Sequence, residues 1–413
     1  MKKTLAILTA ILLLSSLFVF PVGAKATNGD ELIDFIVDVE SGRQPRILHI
    51  ADPQIVDPTQ GRSNPDADND PEKRLKDMEE RCLRYIRQVV EKTNPDLILV
   101  TGDLVYGQFD DSGEAFKELV NFFESLGVLW APVFGNHDAE SKMGADWQSK
   151  LLEEAEHCLF KQRTITGSGN YTVGIRQNGK LTRVFFMLDS NGCNAGSTAS
   201  LLNHHFEPGK GFREDQVEWY TQTANAIKDA HPGVKLSFQF HIPFVAVDDA
   251  MASVGAGDLG STAVEGENFG YYSPVYPECG AWDNNKVIYD GIKALGVDSI
   301  FLGHVHEHSA SVVYDGIRFQ YGQKCSTYDS ANYRLSNGNI KNSKNITTGE
   351  PILGGTLMLM DENDGDFVNF EIVLYEEPAG EETLPGWLIP VVICVAAVAA
   401  MATVLVLRKK KKA

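Results

Sequence analysis

The chain has 413 residues, 43% hydrophobic and 23% charged, with 56 acidic against 37 basic side chains and a net charge of −19. Seven basic residues (Lys2, Lys3 and Arg408 to Lys412) sit at the two ends, so the rest carries 30 basic against 56 acidic residues, a net −26. Such a surface repels phosphate backbones, which argues against nucleic acid as the main partner and favours cations near clustered carboxylates.

Lys2 and Lys3 precede an apolar run from Leu5 to Phe20 and a small-residue stretch ending in Ala24-Lys25-Ala26. That is the pattern of a signal peptide over residues 1–26. At the other end, Trp387 to Leu407 is apolar, uncharged and long enough to span a bilayer. The basic tail 408–413 follows it directly, which places the C-terminus in the cytoplasm. The sequence thus predicts a single-pass type I protein of the cell membrane. Its extracellular domain covers 40–375, a Pro/Gly/Glu stalk 376–386 and the transmembrane helix 387–407. Leu384-Pro385-Gly386 resembles a sortase signal without its threonine, so retention by the helix is expected. Five cysteines lie outside the membrane segment, at 82, 158, 193, 279 and 325, with no Cys-x-x-Cys spacing. The compartment permits disulfides, and the odd count leaves at least one thiol free.

Arg46 to Ala51 reads as a short buried strand ending on Asp52-Pro53-Gln54, and residues 57–71 as an exposed loop. Glu72 to Lys92 repeats apolar residues at helical spacing and is stopped by Asn94-Pro95. Asp96 to Val100 is a second strand, ending on Thr101-Gly102-Asp103, and Gly113 to Leu126 an amphipathic helix. The apolar run 127–132 is a third strand, delivering Gly135-Asn136-His137-Asp138. Three strand–turn–helix units in succession predict a parallel-type sheet with crossover helices. In the last cluster Asn136 offers a neutral oxygen, His137 a proton donor or metal ligand, and Asp138 a carboxylate to orient the histidine.

After a helix at 146–157 the period changes. Tyr171 to Ile175 and Thr182 to Leu188 read as strands around Asn178-Gly179, Arg213 to Ala230 as a helix, and Lys235 to Phe240 as a strand ending on His241. Ala250 to Asn285 is Gly-rich, aromatic and aperiodic, the mark of a functional insertion loop. Lys286 to Leu295 is a helix, and Ser299 to Leu302 a strand ending on Gly303-His304-Val305-His306. Strands at 311–314, 317–320, 356–360 and 367–374 complete an expected second sheet.

Five strand ends thus carry metal-capable clusters: Asp52-Pro53-Gln54, Gly102-Asp103, Gly135-Asn136-His137-Asp138, His241 and Gly303-His304-Val305-His306. This ordered series resembles the calcineurin-like metallophosphoesterases, over about residues 46–325 and in the purple-acid-phosphatase-like branch. The resemblance implies a four-layer α/β/β/α sandwich of two mixed β-sheets flanked by helices, holding two metal ions (Fe, Mn or Zn). It implies that Asp103 bridges the metals, that Asp52 and His306 hold the first, and that Asn136, His241 and His304 hold the second. His137 would stay off the metals and act on the leaving group or the transition-state charge.

One position departs from the family pattern. The first motif is usually Asp-x-His, and Gln54 stands in place of that histidine. An amide oxygen is a poorer ligand for a transition metal. Asp103-Leu104-Val105-Tyr106 matches the Asp-x-x-Tyr of purple acid phosphatases, so Tyr106 is the other candidate, unless it only packs against a neighbouring loop. The function implied is a membrane-anchored, extracytoplasmic phosphohydrolase acting on phosphate esters with metal-activated hydroxide. Phosphomonoesterase is the first reading and phosphodiesterase the second. A surface binding protein that kept the fold and lost catalysis is the rival outside enzymes. His204-His205 reads as a loop pair, and His49 and His308 as structural or supporting groups. Asn170 and Asn345 head glycosylation sequons.

Overall fold

Three runs of aliphatic and β-branched residues, Arg46–Ala51, Leu97–Thr101 and Leu129–Val133, are buried at every position but Arg46. Continuous rather than alternating burial is what strands covered on both faces require. They pair in parallel, in that order. Pro132, which cannot donate to a ladder, is tolerated because Leu129–Val133 is the edge of its sheet. The computed structural model describes residues 26–28, 32–60, 70–191, 211–273, 285–326, 332–337, 339–342 and 349–376. The expected signal peptide (save Ala26), stalk (save Glu376) and transmembrane helix lie outside these residues, as do His204, His205 and Asn345. Among the described residues no helix is long and apolar enough to cross a membrane. The contact unit containing the elements below ends at Tyr375.

The sheet of the three parallel strands continues through Gly354–Met360, Phe367–Leu374 and Thr262–Val264, all antiparallel, while Gln323–Lys324 pairs in parallel with the end of Arg46–Ala51. The second sheet runs Ala26–Asn28, Phe35–Val39, Tyr171–Gln177, Lys180–Met187, Lys235–Gln239, Val297–Leu302, Ile317–Tyr321 and Ser311–Tyr314, again mixed. This corrects the expected grouping of the last four strands. Ser311–Tyr314 and Ile317–Tyr321 extend the second sheet, whereas Gly354–Met360 and Phe367–Leu374 return to the first. Alternating hydrophobicity marks a strand but does not name its partner. The insertion also holds more structure than expected: a helix, Val245–Val254, and the half-exposed edge strand Thr262–Val264.

Helices cover both outer faces. Pro71–Thr93 starts on Asp70, whose side chain accepts Lys73 N at 3.0 Å, and ends on Asn94 in the left-handed region (φ 41°) ahead of Pro95. Its buried stripe of Cys82, Ile86, Val89 and Val90 joins Glu114–Ser125 and the first sheet in one core that also takes Val173, Ile175, Phe185 and Met187 from the second sheet. A second core lies between the other face of the second sheet and the helices Glu214–Ala230, Val245–Val254 and Asn285–Leu295. Trp219 and Tyr220 belong to that packing.

Near one end the sheets are tied by buried hydrogen bonds. Tyr171 Oη donates to Pro132 O at 2.6 Å and Gln239 Nε2 to Val100 O at 3.1 Å. Strands of both sheets therefore stop at a common rim, and each of the five polar clusters begins within two residues of a strand's last residue.

Candidate metal centre

Four non-glycine residues at this rim, Asp52, Gln54, Asp103 and His304, have positive φ (54°, 46°, 47° and 74°). Such backbone costs about 1–3 kcal/mol each and persists where surrounding contacts over-determine it. The motif glycines follow from the same crowding. A Cβ on Gly102 would meet the His241 ring at 2.3 Å, one on Gly135 would meet Asp103 Oδ1 at 2.2 Å, and one on Gly303 would meet Thr101 O at 2.3 Å. Glycine is needed because acidic and imidazole side chains pass directly over the backbone.

The donors fall into two groups. Asn136 Oδ1 lies 3.2 Å from His241 Nε2 and 2.9 Å from His304 Nδ1, and His241 Nε2 lies 3.3 Å from Asp103 Oδ2. Separately, His306 Nε2 lies 3.4 Å from Asp52 Oδ1. Asp52, Asp103 and His306 offer ligand atoms within 4.8 Å of one another. Metal–donor bonds of about 2.0–2.2 Å put neighbouring ligands about 3.0–3.4 Å apart, so this spacing fits the edges of a coordination shell. His241 Nδ1 lies 3.0 Å from Thr101 O, so the proton sits there and Nε2 faces the centre. The set suits a cation on charge as well. Asp52 and Asp103 are both buried, at 2% and 1% exposure.

Burial would push both carboxyls up. For Asp52 the hydrogen bond and charge of His306 outweigh it, and for Asp103 the charges of His241 and His137 hold it well below the usual range. Burial pulls His241 down, but Asp103 and Asp52 carry it up to about 9. Burial and the charge of His241 push His304 down to about 3. The two buried carboxylates thus draw positive charge toward themselves from the imidazoles around them.

His137 stands beside this group through its backbone N–H, which donates to Asp103 Oδ1 at 2.9 Å. Its Nδ1 is 2.7 Å from Glu140 Oε2, and its ring stacks on Tyr106 with centroids 4.0 Å apart and 22° between planes. Asp138, expected to orient His137, instead accepts Val105 N at 3.0 Å and Gly135 N at 2.7 Å. Burial and the neighbouring Asp103 raise its carboxyl to about 8. Asp138 shapes the loop, and Glu140 faces the imidazole. Sequence reasoning missed Glu140 although its signal was local: it lies three residues on, in the turn Asp138–Glu140.

Tyr106 packs with Val56, Leu75 and Phe109 besides His137. Gln54 donates from Nε2 to Asp103 Oδ2 at 3.4 Å, and its Oε1 accepts from Lys324 Nζ at 2.6 Å. His49 (to Thr101 Oγ1, 2.5 Å) and His308 (from Ser273 N, 3.2 Å) serve the framework. Asn170 is 1% exposed and bonded through its side chain to Thr166, Asp189 and Gln216, which closes that sequon. Cys82, Cys158 and Cys325 are buried free thiols.

Residues 45–308 match the family described as calcineurin-like phosphoesterase. The chain is 24% identical over 271 residues to the Arabidopsis thaliana protein named "Probable inactive purple acid phosphatase 28", covering 58% of this chain and 60% of that one. It is 27% identical over 171 residues to "Phosphatase DCR2" of Saccharomyces cerevisiae, covering 38% of this chain and 28% of that one. A dimetal phosphatase from Danio rerio is 12% identical, with a TM-score of 0.40, covering 81% of this chain and all of that one.

Proposed function

Because the chain belongs to the calcineurin-like phosphoesterase family, we propose that it is a two-metal phosphomonoesterase, held outside the cell membrane by its C-terminal helix. The observation that carries the reading is the meeting of Asp52, Asp103, Asn136, His241, His304 and His306 at one buried rim, with His137 alongside. In this reading Asp52 and His306 would hold the first ion, Asn136, His241 and His304 the second, and Asp103 would serve both. Bound iron, manganese or zinc supplies Lewis acidity and an activated water. Thr101 O occupies the Nδ1 side of His241, so Nε2 is the nitrogen that would be left for a metal. Burial lowers the affinity of His137 for its proton, but Asp103 and Glu140 outweigh this and raise it. A proton held at Nε2, with Nδ1 on Glu140, suits an acid for the leaving oxygen.

The phosphatase names of the relatives support a monoester substrate. A catalytically impaired binding protein is the second reading, favoured by the capture of the Gln54 oxygen by Lys324 and by the word "inactive" in the Arabidopsis name. Metal analysis of the full chain, with p-nitrophenyl phosphate and bis(p-nitrophenyl) phosphate as substrates, tests both. Two ions per chain with faster monoester turnover is the expected result. Full metal loading without turnover selects the impaired protein, and faster diester turnover selects a diesterase.

A further inference from the structure

Gln54 lies two residues beyond Asp52, on the strand end that supplies the first metal's carboxylate. Its neighbours decide which way its amide faces. Lys324 is 2% exposed and puts its Nζ on Gln54 Oε1. An ammonium has no acceptor lone pair, so the atom facing it is the oxygen. The amide nitrogen is thereby left to Asp103 Oδ2, and an NH₂ group has only donors to offer there.

Both residues are held by backbone. Gln54 N donates to Asp103 O at 2.9 Å, and Lys324 is paired opposite Ala51, the residue before Asp52. The cation is therefore delivered by a strand laid against the ligand-bearing strand itself.

We infer that Lys324 is a positioning residue that turns Gln54 away from the first metal and makes that metal the weaker, exchangeable one. This rests on the two-metal reading above. The first ion is left with Asp52, Asp103 and His306, while the second has Asp103, Asn136, His241 and His304. A fixed positive charge one amide away from Asp103 also competes for the bridging carboxylate. Altering an outer partner of this kind changes metal affinity about 10–100-fold.

The test is a Mn²⁺ titration of the metal-stripped full chain, with bound ion read from the loss of the free-ion paramagnetic resonance signal. Two binding steps are expected, the second at least about tenfold weaker. His306→Ala removes the weak step and keeps the tight one. Lys324→Met frees the Gln54 oxygen and tightens the weak step by about tenfold or more. Should Lys324→Met fail to fold, as judged by its thermal melt, Gln54→His replaces it and must also tighten the weak step. Two equally tight ions, or an unchanged weak step in folded Lys324→Met, overturn the inference and leave the proposed function standing. Absence of any uptake of Mn²⁺, and of Zn²⁺ or iron by elemental analysis, overturns both.

Discussion

Glu140 Oε2 sits 2.7 Å from His137 Nδ1, on a single turn of 3₁₀ helix that leaves the strand end carrying Asn136. A carboxylate there accepts the Nδ1 proton and fixes both the tautomer and the ring plane, leaving Nε2 as the acting nitrogen. Tyr106 holds the other degree of freedom by stacking on the ring face.

His137→Ala should leave metal content nearly intact and lower turnover about a hundredfold or more, the usual range for a positioned acid. The loss should be smallest for esters with good leaving groups, which need no proton. Rates across a series of aryl phosphates measure this. Equal losses for good and poor leaving groups would remove the acid role and leave charge stabilisation only.

Glu140→Gln keeps a hydrogen-bond acceptor on Nδ1 but removes its charge, and Glu140→Ala removes both. Turnover should fall in the order wild type, Gln, Ala, by up to about a hundredfold, with the same leaving-group bias as His137→Ala. Glu140→Ala should add little to His137→Ala in the double variant, because the two residues act as one unit. Additive losses would separate Glu140 from the imidazole.

Gly135→Ala places a Cβ 2.2 Å from Asp103 Oδ1, where neither the strand end nor the buried carboxylate has room to give. The expected outcome is loss of metal from both sites with the secondary structure retained, measured by elemental analysis beside circular dichroism. Gly127→Ala, where a Cβ meets nothing within 4 Å among the described residues but φ is 64°, is the control, and it should lower the melting temperature without changing metal content.

The rim was legible in the sequence because each cluster follows its strand without delay: Asp52 after Ala51, Gly102-Asp103 after Thr101, Gly303-His304 after Leu302. Burial of a strand and the polar turn that ends it are local properties. What the sequence hides is pairing at a distance. Lys324 reaches Gln54 across 270 positions, and nothing near either residue announces the other. The sorting of strands between the two sheets is hidden for the same reason: nothing within Ile317–Tyr321 or Gly354–Met360 names the strand it pairs with. The sequence points to Asp138 as the orienting carboxylate because it is adjacent to His137. Yet its side chain serves the Gly135 and Val105 amides, which the turn would otherwise leave buried and unpaired.

Glu79, on the helix Pro71–Thr93, sets a pH dependence of stability. It is 6% exposed, its Oε1 has no hydrogen-bond partner among the described residues, and burial with Glu118, Asp57 and Asp110 nearby raises its carboxyl to about 8. The folded value lies above the unfolded one of 4.5, so the folded chain keeps the proton longer. Its contribution is fully present below the unfolded value and is lost as pH rises toward 8. Glu79→Gln should therefore melt about 5 °C or more above the wild type at pH 9 and close to it at pH 4. Equal differences at both pH values would show that packing, not ionisation, separates the two.

Tyr106 decides the colour of the metal-loaded protein. A phenolate on ferric iron gives a visible charge-transfer band, whereas a first metal held by carboxylates and imidazole alone stays divalent and colourless. The Tyr106 ring is held by its neighbours: one face lies on His137 at 4.0 Å, and Phe109 tilts against it at 5.3 Å. With Val56 and Leu75 it forms a small apolar cluster beside the rim. We therefore expect a colourless protein in which Tyr106→Phe retains both metals and most of its turnover, because phenylalanine preserves the stack. Tyr106→Ala should lose about tenfold in turnover with metal content unchanged, since the stacking support of His137 is removed. A purple, iron-containing preparation that bleaches on Tyr106→Phe would place the phenolate on the first metal instead. It would then make Tyr106 the ligand that stands in for the missing histidine.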